Sequence, residues 1–181
     1  VSKIPVYVMP VLTKMIRDDA DLERLAFFIA AYRHYLKHGK DDRGRAYGGG
    51  VLGDGCLSQL PASLDRGLES VRLIDVVWVD PQTSQFAAAF EVEHTTSIYS
   101  GIVRMLDLAL GTPVAGNCAL FLVAPDNRRD KVAEQLQRPA FSRVSELGIR
   151  YLPYSQLEQN HASMSRFGSS IKPLLEISQR L

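Results

Sequence analysis

Cysteine is scarce in this chain: Cys56 and Cys118 are the two among 181 residues. They lie far apart in apolar surroundings and suit reduced, buried thiols of the cytosol better than a disulfide framework. Long hydrophobic runs are missing as well. Stretches such as Phe86–Phe90 fall far short of the roughly 18–20 apolar residues of a membrane-spanning helix. No secretory signal opens the sequence, because Lys3 is followed by Ile4-Pro5-Val6 and then by a polar helix. Neither sign of charge dominates: 21 Lys and Arg stand against 20 Asp and Glu, a net charge of +1. That balance does not decide for or against a polyanionic partner, since local patches steer polyanions more than totals do. Internal repeats are absent too. What remains is the expectation of a cytoplasmic protein with no membrane partner. Its 46% apolar and 23% charged residues sit near the average of soluble domains. The length suits a single domain spanning residues 1–181, with its own core, and is short for two. With Val1 at the start, a trimmed chain, a fragment of a longer protein and removal of an initiating Met all stay open.

The walk along the chain begins with Val6-Tyr7-Val8-Met9, a candidate short strand bracketed tightly by Pro5 and Pro10. Acidic residues Asp18, Asp19 and Asp21 precede apolar residues at Leu22, Leu25, Phe28, Ile29, Tyr32 and Leu36. That spacing, with acids at the positive end of the dipole, predicts a helix over Asp19–Lys37. A basic cluster follows at Arg33, Lys37, Lys40, Arg43 and Arg45, and residues 39–55 read as a Gly-rich, mobile loop. A phosphate-cradling loop is the livelier reading, but the Gly-Lys-Ser/Thr of a Walker loop is absent. Val71–Val79 and Gln85–Glu93 predict two strands of a hairpin joined by Asp80-Pro81-Gln82-Thr83-Ser84. Thr95, Thr96 and Ser97 are N-cap types ahead of a helix running from Ile98 to about Leu110. Residues 118–124 predict a buried strand, Pro125-Asp126 leads into a helix with Val132 and Leu136, and residues 149–152 predict a further strand. Ser155-Gln156-Leu157-Glu158 has the form of a capping box, and Ser170–Leu181 predicts a terminal helix. This order predicts an α/β fold with a mixed sheet.

Three carboxylates stand inside the predicted hairpin: Asp75 in its first strand, Glu91 and Glu93 in its second. Burying an unpaired carboxylate costs several kcal/mol or forces it to stay protonated. Strand alternation puts Glu91 and Glu93 on one face, roughly 6.5–7 Å apart at Cα, with Phe90 and Val92 on the other. A hairpin can bring Asp75 back beside them. Three converging acids in an apolar sheet ask for a divalent cation, and oxygen ligands favour Mg²⁺, Mn²⁺ or Ca²⁺ over zinc. The bland alternative is a hairpin face open to water, its acids merely solvated. The apolar runs Ile74–Val79 and Ala87-Ala88-Ala89 speak against it.

The order Ile74-Asp75-Val76-Val77-Trp78, turn, Phe90-Glu91-Val92-Glu93-His94-Thr95-Thr96, helix resembles the core of the PD-(D/E)xK nuclease superfamily. The resemblance implies a restriction-endonuclease-like fold, a mixed central sheet flanked by helices, and it covers Val71 to Leu152, with Asp19–Lys37 as the opening helix. It implies Asp75 and Glu91 as ligands of Mg²⁺, with Mn²⁺ as a possible substitute, and the Val92 carbonyl as a third ligand. The chain departs from the family pattern in two places. Glu93 stands where Lys is usual, as it does in a minority of restriction enzymes. No convincing first core strand lies between Gly39 and Arg72, although residues 51–60 offer a poor one. In the reaction so implied, Glu93 orients water, takes its proton or helps hold a second metal, and positive charge near the phosphate must come from elsewhere. Arg104, on the helix just after the acids, is the candidate; pairing with Asp107 is its bland alternative.

The other chemistry-bearing residues give less. His94 points away from Glu93 and reads as a packing histidine. His34 and His38 share a helix face but lack the Glu and third ligand of a zinc protease. No serine sits in a nucleophile elbow. Arg128, Arg129 and Lys131 open a helix and read as a solvated turn within reach of phosphate. The leading expectation is a metal-dependent endonuclease acting on DNA in restriction, defence or repair, with a second copy or further domains of a longer protein as partners. The alternatives are a catalytically inactive binding or assembly module of the same fold, and a ligand-binding α/β domain without a nucleic-acid partner.

Overall fold

The computed structural model describes residues 6–8, 46–47, 49–51, 60, 68–80, 83–93, 97–111, 118–141, 144–167 and 171–181. Its centre is a five-stranded mixed sheet. The strands are β1 (Val6–Val8), β4 (Val76–Val79), β5 (Phe86–Val92), β6 (Ala119–Ala124) and β7 (Arg150–Pro153), side by side in that order. β1 and β5 run antiparallel to β4, whereas β5, β6 and β7 are mutually parallel. Helix α1 (Leu68–Val71) leads into β4, and α2 (Ile98–Gly111) makes the crossover from β5 to β6. The second crossover carries α3 (Arg129–Leu136) and the short α4 (Val144–Leu147). Helices α5 (Tyr154–Phe167) and α6 (Lys172–Ile177) close the chain. The α/β expectation, a mixed sheet flanked by helices, holds.

The sheet forms because its inner strands carry almost nothing that water would solvate. Val76, Val77, Trp78 and Val79 are all buried, as are Leu120 to Ala124, the continuous apolar pattern of strands covered on both faces. Phe90 and Phe121, register partners on β5 and β6, stack with ring centroids 5.0 Å apart, and Trp78 leans on Phe90 at 4.8 Å. Such aromatic pairs add roughly 0.5–1.5 kcal/mol beyond the area they bury. On α2, Ile98, Ile102, Met105, Leu108 and Ala109 form the buried stripe, at the helical spacing expected from the sequence. Cys118 is a free thiol, and burial pushes it up to about 12, so it stays protonated and inert. Among the described residues, no helix is long and apolar enough to cross a membrane.

Several boundaries differ from the sequence expectation, each for a physical reason. Residues 71–75 are not strand. Val71 ends α1, and the amides of Leu73 and Ile74 donate to the carbonyls of Ser70 and Val71 at 2.9 and 3.0 Å. Val71 and Ile74, three apart, are both fully buried, which is helical rather than strand spacing. Asp75 therefore precedes β4, and Glu93 follows β5, instead of lying within them. The outer strand beside β4 comes from residues 6–8, and most of the 51–60 candidate, residues 52–59, lies outside the described residues. Part of the predicted loop 39–55 is a small antiparallel pair, β2 (Ala46–Tyr47) with β3 (Gly50–Val51). Its turn needs Gly49, whose φ of +87° disfavours a side chain.

The predicted capping box is not one. Ser155 already lies inside α5, and its amide and hydroxyl both donate to the Asp126 carboxylate. A cap reaching across 29 residues supersedes the local one. The terminal helix is also shorter than expected, because the chain turns extended at Ser178 and Gln179 exchanges two backbone hydrogen bonds with Tyr151 (2.8 and 2.7 Å). That tail covers the outer edge of β7, and Arg150 fastens it by donating to Ser178 Oγ and to the carbonyls of Leu175 and Ser178. The predicted helix Asp19–Lys37, with His34 and His38, lies outside the described residues, as do His94 and Cys56.

Candidate active site

β4 and β5 pair with Val76 opposite Phe90, so one further step of that register sets Asp75 against Glu91. Phe90 faces the aromatic side of the sheet, and by strand alternation Glu91 faces the other, which α2 covers. The helix comes unusually close there because residue 101 is glycine. A Cβ at Gly101 would stand 2.7 Å from Glu93 Oε1 and 3.2 Å from Glu91 Cβ. The acids are thus sealed between sheet and helix: Asp75, Glu91 and Glu93 are 1%, 0% and 2% exposed. A solvated hairpin face is excluded by those figures.

Each acid has a different set of partners. Asp75 Oδ2 accepts the Val92 amide at 2.8 Å, which ties the start of β4 to the end of β5. Asp75 Oδ1 is buried and has no hydrogen-bond partner among the described residues. Glu91 is gripped bidentately by Arg104, Nε to Oε1 at 2.7 Å and Nη2 to Oε2 at 2.5 Å. The pairing with Asp107 considered for Arg104 is replaced by this longer-range one, which the close approach of α2 makes possible. Arg128, in the 3-10 turn Asp126–Arg128 after β6, donates to the Glu93 carbonyl and holds the end of β5.

Burial dominates the electrostatics. Desolvation, then the Glu91 charge, raises Asp75 well above the ordinary carboxylate range, against the opposing Val92 hydrogen bond; Glu93 raises it further. Glu91 rises to about 7, again chiefly through desolvation, with the Arg104 hydrogen bond and charge holding it down and Glu93 pushing it up. Desolvation pulls Arg104 down, but its bond to Glu91 and the charges of Glu91, Asp75 and Glu93 outweigh that, and it stays firmly protonated.

The structure brings Asp75, Glu91, Glu93 and Arg104 together, with Val92 between the two glutamates. Among the described residues, no group of three or more His, Cys, Asp or Glu side chains is arranged to hold a metal ion. Glu91 turns to Arg104 and Glu93 lies against Gly101, so the three acids do not form a shared cage. Gly101 escaped the sequence reading, and so did the contact that Arg128 makes. Gly101 was detectable as a glycine inside an apolar helical stripe, where it costs about 1 kcal/mol relative to Ala unless something must approach closely. Arg128 was visible as a basic residue, but nothing local shows that it reaches back to Glu93.

Residues 33–173 match the family of the type II restriction enzyme NmeDI C-terminal domain. The chain belongs to that family. The chain is also similar to the type II restriction enzyme NmeDI of Neisseria meningitidis serogroup C, with 32% identity over 127 residues. That alignment takes in 66% of this chain and 35% of the relative, so the chain spans about a third of the length of the curated relative it matches. No solved structure matches. The segment matched by the family contains the whole acid cluster, from Asp75 to Arg104.

Proposed function

We propose that the chain is a divalent-metal-dependent nuclease domain that hydrolyses phosphodiester bonds in DNA, a PD-(D/E)xK variant with Glu93 in place of the lysine. The observation that carries this reading is Asp75 Oδ1, a buried carboxylate oxygen without a partner among the described residues, beside a second buried acid. Leaving such an acceptor unmet costs roughly 1–3 kcal/mol, a penalty that a cation would relieve. The donor set fits a hard cation: all oxygen, two carboxylates and a carbonyl. Asp75, Glu91 and the Val92 carbonyl would hold Mg²⁺, or Mn²⁺ in its place. When bound, such an ion would supply Lewis-acid charge to the phosphate and to the attacking water. The protein's own groups do the rest. Glu93 accepts the proton of the attacking water, and Arg104 supplies the positive charge that a lysine would otherwise bring to the phosphate. Helix α2 keeps bulk water out of the site.

Kinship to a type II restriction enzyme supports DNA as the partner and restriction or defence as the setting, hence the cytoplasm. In this reading residues 1–181 form one domain, acting beside a second copy or further domains of a longer protein. The test is supercoiled plasmid incubated with Mg²⁺ or Mn²⁺. Wild type nicks or cuts it, and Asp75→Ala and Glu91→Ala do not. Equal cleavage by all three proteins discards the reading. A second reading, a nuclease-fold module that binds DNA without cutting, is favoured by one observation: both Glu91 oxygens are already engaged by Arg104. It predicts DNA binding with a steep salt dependence and no metal-dependent nicking by any variant.

A further inference from the structure

The same ion pair has a consequence for how the site loads. Glu91 offers two oxygens, and the Arg104 fork takes both, at 2.7 and 2.5 Å. A planar guanidinium matched to a carboxylate uses the inner in-plane lone pair of each oxygen, the pair that a cation held by both oxygens would use. Mg²⁺ bonds its oxygens at about 2.0–2.1 Å with little tolerance for distortion, and a guanidinium that close would meet it as a like charge. A cation sharing Glu91 with the fork would be left the outer lone pairs and would sit beside a like charge. Arg104 also has a way out, because its side chain is 17% exposed while Glu91 is fully buried. Asp75 Oδ1, unpartnered nearby, gives the incoming cation its other carboxylate anchor.

We propose that Arg104 and a divalent cation exchange at Glu91: coordination of the cation displaces the guanidinium, which is then free to engage a phosphate of the DNA. Arg104 is thus the resident counter-ion of the site and the competitor of its metal. The inference rests on the metal-site reading above.

The experiment uses Mn²⁺ alone as probe and reads no cleavage. Wild-type protein is treated with phenylglyoxal, an arginine-selective dicarbonyl, with and without Mn²⁺, and the adduct at Arg104 is quantified by peptide mass spectrometry. Labelling of Arg104 is expected to rise several-fold with Mn²⁺. In parallel, calorimetric titration under mildly alkaline conditions compares wild type with Arg104→Met. The variant is expected to bind Mn²⁺ about tenfold more tightly or better, the scale of a charge-assisted hydrogen bond that no longer has to be broken. Labelling that stays constant or falls while Mn²⁺ binds overturns the exchange and leaves the metal site standing. Equal or weaker Mn²⁺ binding by the folded variant does the same. If Arg104→Met fails to fold, the wild-type labelling decides. No Mn²⁺ binding by either protein overturns the metal-site reading and the exchange together.

Discussion

If Asp75 is held in place for a cation, its presence works against folding, and Asp75→Asn should stabilise the protein while abolishing its activity. The structure sets the magnitude. Asn is nearly isosteric, so its carbonyl oxygen keeps the Val92 amide that Oδ2 now accepts at 2.8 Å. Its NH₂ replaces the partnerless Oδ1 and turns an orphaned acceptor into a donor facing acids. Removing a buried unsatisfied group is worth about 1–3 kcal/mol, or roughly 2–12 °C in Tm for a domain of this size. The gain must depend on pH. The folded-state pKa of Asp75 is raised, through burial first and the Glu91 charge second, so the folded protein binds this proton more tightly than the unfolded chain. Stability from that proton is present at low pH and is lost as pH rises through the folded pKa. Asn has no proton to lose. The advantage of Asp75→Asn, measured by urea or thermal unfolding, should be largest near about pH 8 and shrink toward about pH 5. A variant less stable than wild type by the same amount at both pH values would show that Asp75 is a structural acid, satisfied in the fold. Full plasmid cleavage by the variant would refute its part in the chemistry.

Three further outcomes follow from the packing. Gly101→Ala gains helix propensity of up to about 1 kcal/mol but drives a methyl to 2.7 Å from Glu93 Oε1 and 3.2 Å from Glu91 Cβ. Overpacking of about 1–3 kcal/mol should win, so denaturation melts lower and cleavage falls as the acids shift; a variant more stable than wild type refutes the close approach. Asp126→Ala removes the cap of α5 and should cost about 1–2 kcal/mol in urea unfolding, whereas Ser155→Gly, retaining the amide, should lose less. Phe121→Ala empties the stack on Phe90 in the sheet core and should cost about 3–5 kcal/mol by the same measurement.

The sequence by itself determined the elements whose signal is local and apolar. β5, α2, β6, α3 and β7 lie where alternation, helical spacing and continuous burial put them, because those patterns record which faces must leave water. It also determined the identity of the acid cluster, since Asp75, Glu91 and Glu93 are conspicuous in an apolar hairpin whatever surrounds them. The tertiary structure decided what those acids touch. Arg104 reaches Glu91 rather than Asp107 because Gly101 lets α2 sink onto β5. Arg128 closes on the Glu93 carbonyl across 35 positions, and Asp126 caps α5 across 29. β1 was a candidate strand in the sequence, but its place beside β4 came only with the fold. Hydrophobic patterning is written residue by residue, and so it can be read from the chain. The partner of a buried charge is chosen by whichever group three-dimensional packing brings within about 3 Å, and no periodicity encodes that.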